Sequence, residues 1–340
     1  MSNFTAQQID AYMANGIKDR WYVVCPSDFL GLQAISLRRF GYKLAIWRDQ
    51  TTGKVHCVED HCPHRGAPLS AGLVMGDRLG CPYHGVEVNC KGVATRVPGN
   101  PGCKLEGSKS TKAFHVEEAV GAIFIYNHLK EVDTPPPLQL PEHMTSPEWS
   151  NFTCYLEWGN DYRYISDNVM DPMHGVFLHK QSHTMSEGAN QAEFQIRDVE
   201  SGFIFEKKGQ RNVNFDWTEL QDTGSTWWHR LEIPYPKTGG PGGNFTIIGM
   251  YVPIDRDLCG VMFWRCRKVS GLDRDIWRFL YKNRLEARHW TVVEQDRVAV
   301  ELMEVDASDR EILYSHDMGI VRQRRYFRNI AVEQLEASKG

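Results

Sequence analysis

The sequence predicts an α+β protein in which a small all-β module precedes a sheet with packed helices. Three observations carry this. Short β-branched or aromatic runs divided by Gly, Pro and Asp turns fill the stretch from Trp21 to about Asn127 (WYVVC, KLAIWRD, KVHCVED, AVGAIFIYN). The segment TPPPLQLP, Thr134 to Pro141, suits neither helix nor central strand and reads as an extended connector. Beyond it, strand-like pieces (FIFEKKG, FTIIGMYVPI, GVMFWRCRK) give way to a long helical pattern, Asp275 to Glu304, free of Pro and Gly.

In chain order, residues 1–20 are expected to form an amphipathic helix with Phe4, Ile9, Tyr12, Met13 and Ile17 as its apolar positions. Residues 21–133 form the all-β module, 134–141 the linker and 142–340 the second domain. Within that domain, Phe152 to Asp171 leads from a strand into a helix, and Gly239 to Gly243 forms a turn. A chain of 340 residues accommodates two domains of moderate size. Its 41% hydrophobic and 24% charged content is that of a globular protein.

A formal net charge of −4 argues against a nucleic-acid or anionic-membrane partner, each of which calls for a basic surface. The first twenty residues are polar, without the apolar core of a leader, and runs such as Ala119 to Tyr126 are too short to span a bilayer. A soluble, cytoplasmic protein is expected. Nine cysteines, an odd number, fit poorly with a complete disulfide framework. Cys25, Cys57, Cys90, Cys103, Cys154, Cys259 and Cys266 have no ligand-like spacing and read as buried or spare thiols.

Two cysteines differ. Cys62-Pro63-His64 and Cys81-Pro82-Tyr83-His84 give C-x-H and C-x-x-H, two short pairs from which adjacent turns can build a four-ligand site. In a Rieske centre two thiolates hold one iron and two neutral imidazoles the other. Cys₂His₂ is also a zinc-finger set, but zinc fingers pair cysteine with cysteine and histidine with histidine, whereas each pair here is mixed. Pro63, Gly66, Pro82 and Gly85 suit tight loops with backbone N–H groups aimed at sulfur. CPHRGAPLSAG and CPYHGV resemble the two halves of the Rieske motif of bacterial ring-hydroxylating oxygenases, with Cys62, His64, Cys81 and His84 at the ligand positions. Val86 departs from that pattern, which usually carries Trp there. His56 and His61 read as solvent-facing.

The second constellation is DNVMDPMHGVFLH, residues 167–179, containing D-x-x-H-x-x-x-x-H. Two histidines five apart lie about 140° apart on an ideal helix, so they share a metal only if the backbone departs from it. Pro172 and Gly175 supply reasons for that departure. The bland alternative is two ordinary histidines near a helix end. The segment resembles the mononuclear-iron segment of the same oxygenases, which implies His174 and His179 as iron ligands.

A 2-His-1-carboxylate site needs a third ligand. In WTVVEQDRVAVELME, taken as the last helix, only Asp296 has apolar residues at Val292, Val293, Ala299, Val300 and Met303 around it. A carboxylate in an apolar stripe needs a cation or metal, and the resemblance places the carboxylate ligand here. The alternative is a buried salt bridge to an arginine of residues 263–267. Glu294, Glu301 and Glu304 read as solvated.

The resemblance further implies that Asp171 bridges His174 and His84 of a neighbouring subunit, although it also suits a cap before Pro172. Asn168 falls at a near-iron position. Length and motif form are most similar to the phthalate dioxygenase, vanillate O-demethylase and dicamba monooxygenase group. The resemblance therefore implies a helix-grip (START-like) catalytic domain, a [2Fe–2S] cluster, mononuclear Fe(II) and a head-to-tail homotrimer. It implies electrons from NAD(P)H through a separate flavin and [2Fe–2S] reductase, and O₂ insertion into a small aromatic substrate. No dinucleotide fingerprint is visible in the chain itself.

Phe245 to Ile254 and Gly260 to Trp264 are expected to line an apolar pocket, where Arg265 or Arg267 could hold a carboxylate. Hydroxylation, O-demethylation and N-demethylation stay open. So do an electron carrier without oxygenase activity and a zinc-stabilised binding module.

Overall fold

A computed structural model describes residues 4–181, 185, 188–235, 242–304 and 306–339. The first part is all-β: β1 (Arg20–Pro26), β2 (Ile35–Arg39), β3 (Tyr42–Arg48), β4 (Val55–Glu59), β5 (Leu73–Met75), β6 (Arg78–Gly80), β7 (Glu87–Asn89), β8 (Ala94–Arg96), β9 (Ala113–Phe114), β10 (Val116–Ala119) and β11 (Ala122–Asn127). They form three small antiparallel sheets ordered β1-β11-β10, β2-β3-β4-β9 and β5-β6-β7-β8. Residues 134–141 contain neither helix nor strand.

The second part is a seven-stranded antiparallel sheet of β12 (Trp149–Trp158), β13 (Phe194–Val199), β14 (Gly202–Lys207), β15 (Trp217–Asp222), β16 (Trp227–Tyr235), β17 (Gly243–Asp255) and β18 (Leu258–Lys268). Its order is β12-β18-β17-β16-β15-β14-β13. Both faces are covered, which explains why β17 and β18 read as near-continuous apolar runs. Trp228, Ile248, Met250, Met262 and Trp264 on one face pack against Trp21, Val23, Phe124 and Tyr126 of the β1-β11 ribbon. Phe152, Phe245, Tyr251 and Phe263 on the other face the helices. Alternation thus splits the expected pocket-lining segments: every second residue points at the cluster module instead.

The helices are α1 (Ala6–Met13), α2 (Glu142–Thr145), α3 (Tyr162–Met170), α4 (Gly175–Leu178), α5 (Gly271–Leu280), α6 (Glu286–Glu301) and α7 (Met318–Ala337). The N-terminal helix is shorter than expected. Thr5 and Gln8 close a capping box at its start, and it ends where Gly16 adopts a positive φ. The long helical pattern is also corrected: it starts at Gly271 and is interrupted by a π-turn, Tyr281–Leu285. A π-turn widens the ladder by a residue, so one stripe does not run through both halves.

The helix carrying Asp296 is not the last. Gly319, Gln323, Phe327 and Ala331 of α7, spaced by four, are its buried positions. Four arginines between Arg322 and Arg328 mask that narrow stripe in the sequence. His56 is half-buried rather than solvent-facing, its ring 5.4 Å from that of Trp47. His61 is exposed, while Cys90 and Cys103 are half-buried beside otherwise buried free thiols. The Gly239 to Gly243 turn lies largely outside the described residues.

Two candidate metal centres

The Cys62 and Cys81 loops are near copies of one another. In each, the cysteine N–H donates to a carbonyl five residues on, Cys62 to Ala67 (2.9 Å) and Cys81 to Val86 (2.8 Å). In each, a glycine N–H four residues on donates back, Gly66 to Cys62 (2.8 Å) and Gly85 to Cys81 (3.0 Å). These returns need a left-handed residue, and Gly66 and Gly85 have φ of 76° and 69°. Both loops are braced by buried carboxylates that the motif did not reveal. Asp60 accepts from Ser36 Oγ, Ser70 Oγ and Ser70 N, while Glu87 pairs with Arg78 and Arg96.

The sulfur sides point inward and the histidines outward. Cys62 and Cys81 are buried with Leu69, Leu79, Val86 and Val88, so Val86 fills core space where the resemblance expects Trp. His64 and His84 are exposed, with ring centroids 4.7 Å apart. Two buried thiols and two adjacent exposed imidazoles on paired loops fit a two-iron Rieske cluster, sulfur-held within and histidine-held at the surface.

The second constellation is assembled from distant parts of the chain. Asp161 caps α3 by accepting from Arg163 N at 2.9 Å. The helix ends at Met170 before Pro172, and Asp171 accepts from Met173 N at 2.7 Å, which turns the chain. The single turn α4 follows, with His174 and His179 as its two flanking residues. His174 keeps helical backbone angles (φ −60°, ψ −28°) and only His179 departs from them (φ −100°, ψ 32°).

Both Nε2 atoms converge on one oxygen of Asp296: His174 at 3.4 Å and His179 at 3.2 Å from Oδ1. One ligand atom from each of the three lies within 4.8 Å of the others, and among the described residues this is the only such His, Cys and carboxylate group. Asn168 Nδ2 donates to Asp296 Oδ1 at 3.3 Å. Asp296 makes no pair with an arginine of β18, which removes that alternative. The apolar stripe expected around it is only partly buried: Val300 alone is fully inside, Val292, Val293 and Ala299 are half-buried, and Met303 is exposed.

Charge and tautomer suit a cation. Burial opposes a charge on His174, but Asp296 and Asp171 outweigh it and raise its pKa. Burial likewise resists ionisation of Asp296, yet the two imidazoles hold its carboxyl well below the ordinary range. Gln295 Oε1 lies 2.9 Å from His179 Nδ1. An amide oxygen only accepts, so Nδ1 carries the proton and the buried, unpartnered Nε2 presents its lone pair. His174 Nδ1 is also unpartnered, with Asp171 Oδ2 at 3.9 Å. Two imidazoles and one carboxylate converging this closely fit a facial-triad metal. The sequence reading gave Gln295 no role, since adjacent helical positions point about 100° apart.

Residues 20–114 match the model of the Rieske [2Fe–2S] domain. Residues 158–333, more than half of the chain, match that of the vanillate O-demethylase oxygenase C-terminal domain. The chain belongs to the Rieske-type oxygenase family. It is 34% identical over 165 residues to the vanillate O-demethylase oxygenase subunit of Pseudomonas sp. (strain HR199 / DSM 7063), 48% of this chain and 46% of that one. It is 30% identical over 274 residues to an oxygenase component of 3-ketosteroid-9-alpha-monooxygenase from Rhodococcus rhodochrous, covering 75% and 69%.

The chain spans less than half the length of several other curated relatives it matches, 35% for protein TIC 55 of Arabidopsis thaliana. The fold is that of the oxygenase in the carbazole 1,9a-dioxygenase oxygenase–ferredoxin complex, with a TM-score of 0.76, 20% identity and 97% and 95% of the two chains covered. Dicamba monooxygenase superposes with a TM-score of 0.69, 21% identity and 94% and 98% covered. Rieske-type oxygenases carry a [2Fe–2S] cluster and a mononuclear iron, the two groups these donor sets fit. No described helix is long and apolar enough to cross a membrane.

Proposed function

We propose that this chain is a terminal oxygenase that uses O₂ to hydroxylate or O-demethylate an aromatic, carboxylated substrate. Electrons from NAD(P)H reach it through a separate flavin and [2Fe–2S] reductase. The observation that carries this is the convergence of His174 Nε2, His179 Nε2 and Asp296 Oδ1 in a chain that also bears the paired cysteine–histidine loops. Related chains carry the names of a vanillate demethylase, a ketosteroid monooxygenase and a carbazole dioxygenase. We assign residues 21–133 to the cluster module, 134–141 to the linker and 142–340 to the catalytic domain, in a cytoplasmic protein.

Cys62, Cys81, His64 and His84 would hold the cluster, and His174, His179 and Asp296 the mononuclear iron. That iron, when bound, supplies reductive activation of dioxygen, with the cluster as its source of electrons. The chain's own residues do the rest. Gln295 fixes the tautomer and plane of His179, and Asn168, donating to Asp296 Oδ1, orients that carboxylate. Asp171, 28% exposed, has one oxygen near His174 and reaches solvent. In a head-to-tail homotrimer it would meet His84 of the partner subunit. The aromatic inner face of the sheet would shield a bound metal from water on that side.

The test is an iron and labile-sulfide count with reduced-state EPR on anaerobically purified protein, followed by turnover of aromatic acids with a reductase. About three irons per chain and a Rieske signal are expected. About two irons would leave an electron carrier, and a colourless zinc protein would overturn the reading. Asp171→Asn should keep both metals and slow turnover by roughly 10- to 100-fold.

A further inference from the structure

Neighbouring strands β16 and β17 bring one histidine and one tyrosine together in the buried core. His229 is fully buried, with Nδ1 3.2 Å from Tyr251 Oη and Nε2 2.6 Å from Gln323 Oε1. Gln323 Nε2 donates to Asp167 Oδ1 at 3.2 Å, which sets the amide with its oxygen toward the imidazole. An amide oxygen only accepts, so His229 carries its proton on Nε2, and Nδ1 accepts from the Tyr251 hydroxyl. Burial lowers the His229 pKa to about 4, so near neutral pH the ring is uncharged and its Nδ1 is free to take that proton. Burial pushes the Tyr251 pKa well up, and the Asp296 charge acts in the same direction.

A buried phenol gives up an electron readily only when its proton can leave with it. Tyr22 and Tyr162, also buried, donate instead to the carbonyls of Ile17 and Met13, each at 3.0 Å, and a carbonyl cannot hold the proton. From Tyr251 a row of rings leads to the surface. The Trp227 ring is 5.7 Å from that of Tyr251, Phe327 lies 4.8 Å from Trp227, and Tyr326 lies 5.5 Å from Phe327. Tyr326 is 37% exposed, and its hydroxyl donates to Asp222 Oδ2 at 3.0 Å. Asp222 is the cross-strand partner of Trp227. The inner end of the network adjoins the mononuclear site, since Asp167 precedes Asn168, the donor to Asp296. Met170 and Met173, buried in the segment that leads to His174, are thioethers open to oxidation there.

We propose that Tyr251, with His229 as its proton acceptor, starts an electron-donor relay through Trp227 to Tyr326 that discharges oxidant formed at the mononuclear site when no substrate consumes it. The relay rests on the oxygenase reading above and adds to it a protective function. A peroxide-derived oxidant takes one electron from Tyr251, whose hydroxyl proton passes to His229 Nδ1. An electron from Trp227 then restores the phenol, and the proton returns from His229. Tyr326 refills Trp227 while its own proton passes to Asp222. A thiol reductant in solution returns the electron to Tyr326, which recovers its proton from Asp222.

The test mixes the full, metal-loaded and reduced chain with hydrogen peroxide in the absence of substrate and freezes it for EPR, with ring-deuterated tyrosine to identify tyrosyl signals. The wild type should show a tyrosyl radical that glutathione quenches. Tyr251→Phe should lose it although Tyr326 remains, and mass spectrometry should show sulfoxide at Met170 and Met173 rising several-fold. His229→Gln should lower the radical yield, because an amide cannot take the proton. Trp227→Phe should hold the radical on Tyr251 and slow its quenching by glutathione several-fold. Asp296→Ala, lacking the mononuclear iron, should give no radical.

No tyrosyl radical in the wild type, an equal radical in Tyr251→Phe, or unchanged methionine oxidation overturns the relay. Those results with a normal Rieske spectrum and about three irons per chain leave the oxygenase reading standing. An abnormal spectrum or count would strike that reading and the relay with it. If Tyr251→Phe fails to load metal, the His229 and Trp227 variants decide.

Discussion

The two candidate centres of this chain are built in opposite ways. The cluster site draws four donors from two short loops within 23 consecutive residues, Cys62 to His84, and leaves both histidines exposed. The mononuclear site draws on residues more than a hundred positions apart and shuts its donor atoms inside, with His179 only 1% exposed. An exposed imidazole edge suits exchange of electrons with another surface. A buried triad suits chemistry from which water must be kept away. Local construction also makes the first site independent of the sheet, whereas the second depends on α3, α4 and α6 being held together by that sheet.

The largest expected effect tests that independence. Asp296→Ala should release the mononuclear metal and abolish turnover, cutting iron from about three to about two per chain. The visible and EPR spectra of the cluster should not change. Loss of the cluster signal as well would break the comparison.

A middle-sized effect is expected at Gln295, the residue that sets the His179 tautomer. Gln295→Leu should lower affinity for the mononuclear iron by roughly 10- to 100-fold in a chelator competition, again with an intact cluster. An unchanged affinity would mean that packing alone orients His179.

The smallest effect sharpens the contrast between a wet and a dry centre. His229 is buried between Tyr251 Oη (3.2 Å) and Gln323 Oε1 (2.6 Å), and burial lowers its pKa to about 4 although Gln323 opposes this. Its folded pKa lies below the unfolded value, so its stabilising share is present above about pH 6.5 and is lost as pH falls through about 4. The shift corresponds to at most about 3 kcal/mol. Asp167, hydrogen-bonded to Gln323, has the opposite sign, because burial raises its pKa to about 6 despite Arg324. The clean readout is therefore a difference. Chemical denaturation of His229→Gln against wild type should show less loss of stability on acidification from pH 6.5 to 4. Parallel curves would place the acid sensitivity elsewhere.

The paired loops were legible because their geometry is local: C-x-H and C-x-x-H with a glycine four residues after each cysteine specify them almost alone. His174 and His179 were legible as a pair, but the break expected from Pro172 and Gly175 does not fall between them: Pro172 lies before the turn, and Gly175 is its first helical residue. Asp296 was singled out on the premise that a carboxylate among apolar residues needs a cation, and the structure brings it to both imidazoles although its stripe is only half-buried. α7, the π-turn and the bracing carboxylates Asp60 and Glu87 escaped, since each acquires meaning only from what it packs against.

By itself, then, the sequence determined the all-β module, the extended connector, the donor types and the paired loops proposed to carry the cluster. These follow from turn chemistry and residue spacing over a few positions. Only the tertiary structure decided which face of β17 and β18 turns toward the helices. Alternation guarantees that Arg265 and Arg267 share a face, but strand periodicity cannot say whether that face is inside. Pairing β18 between β12 and β17, with α6 laid across them, buries Arg265 beside His289 and sets both on the side of the sheet that Asp296 occupies. Such contacts depend on long-range pairing, which no local pattern encodes.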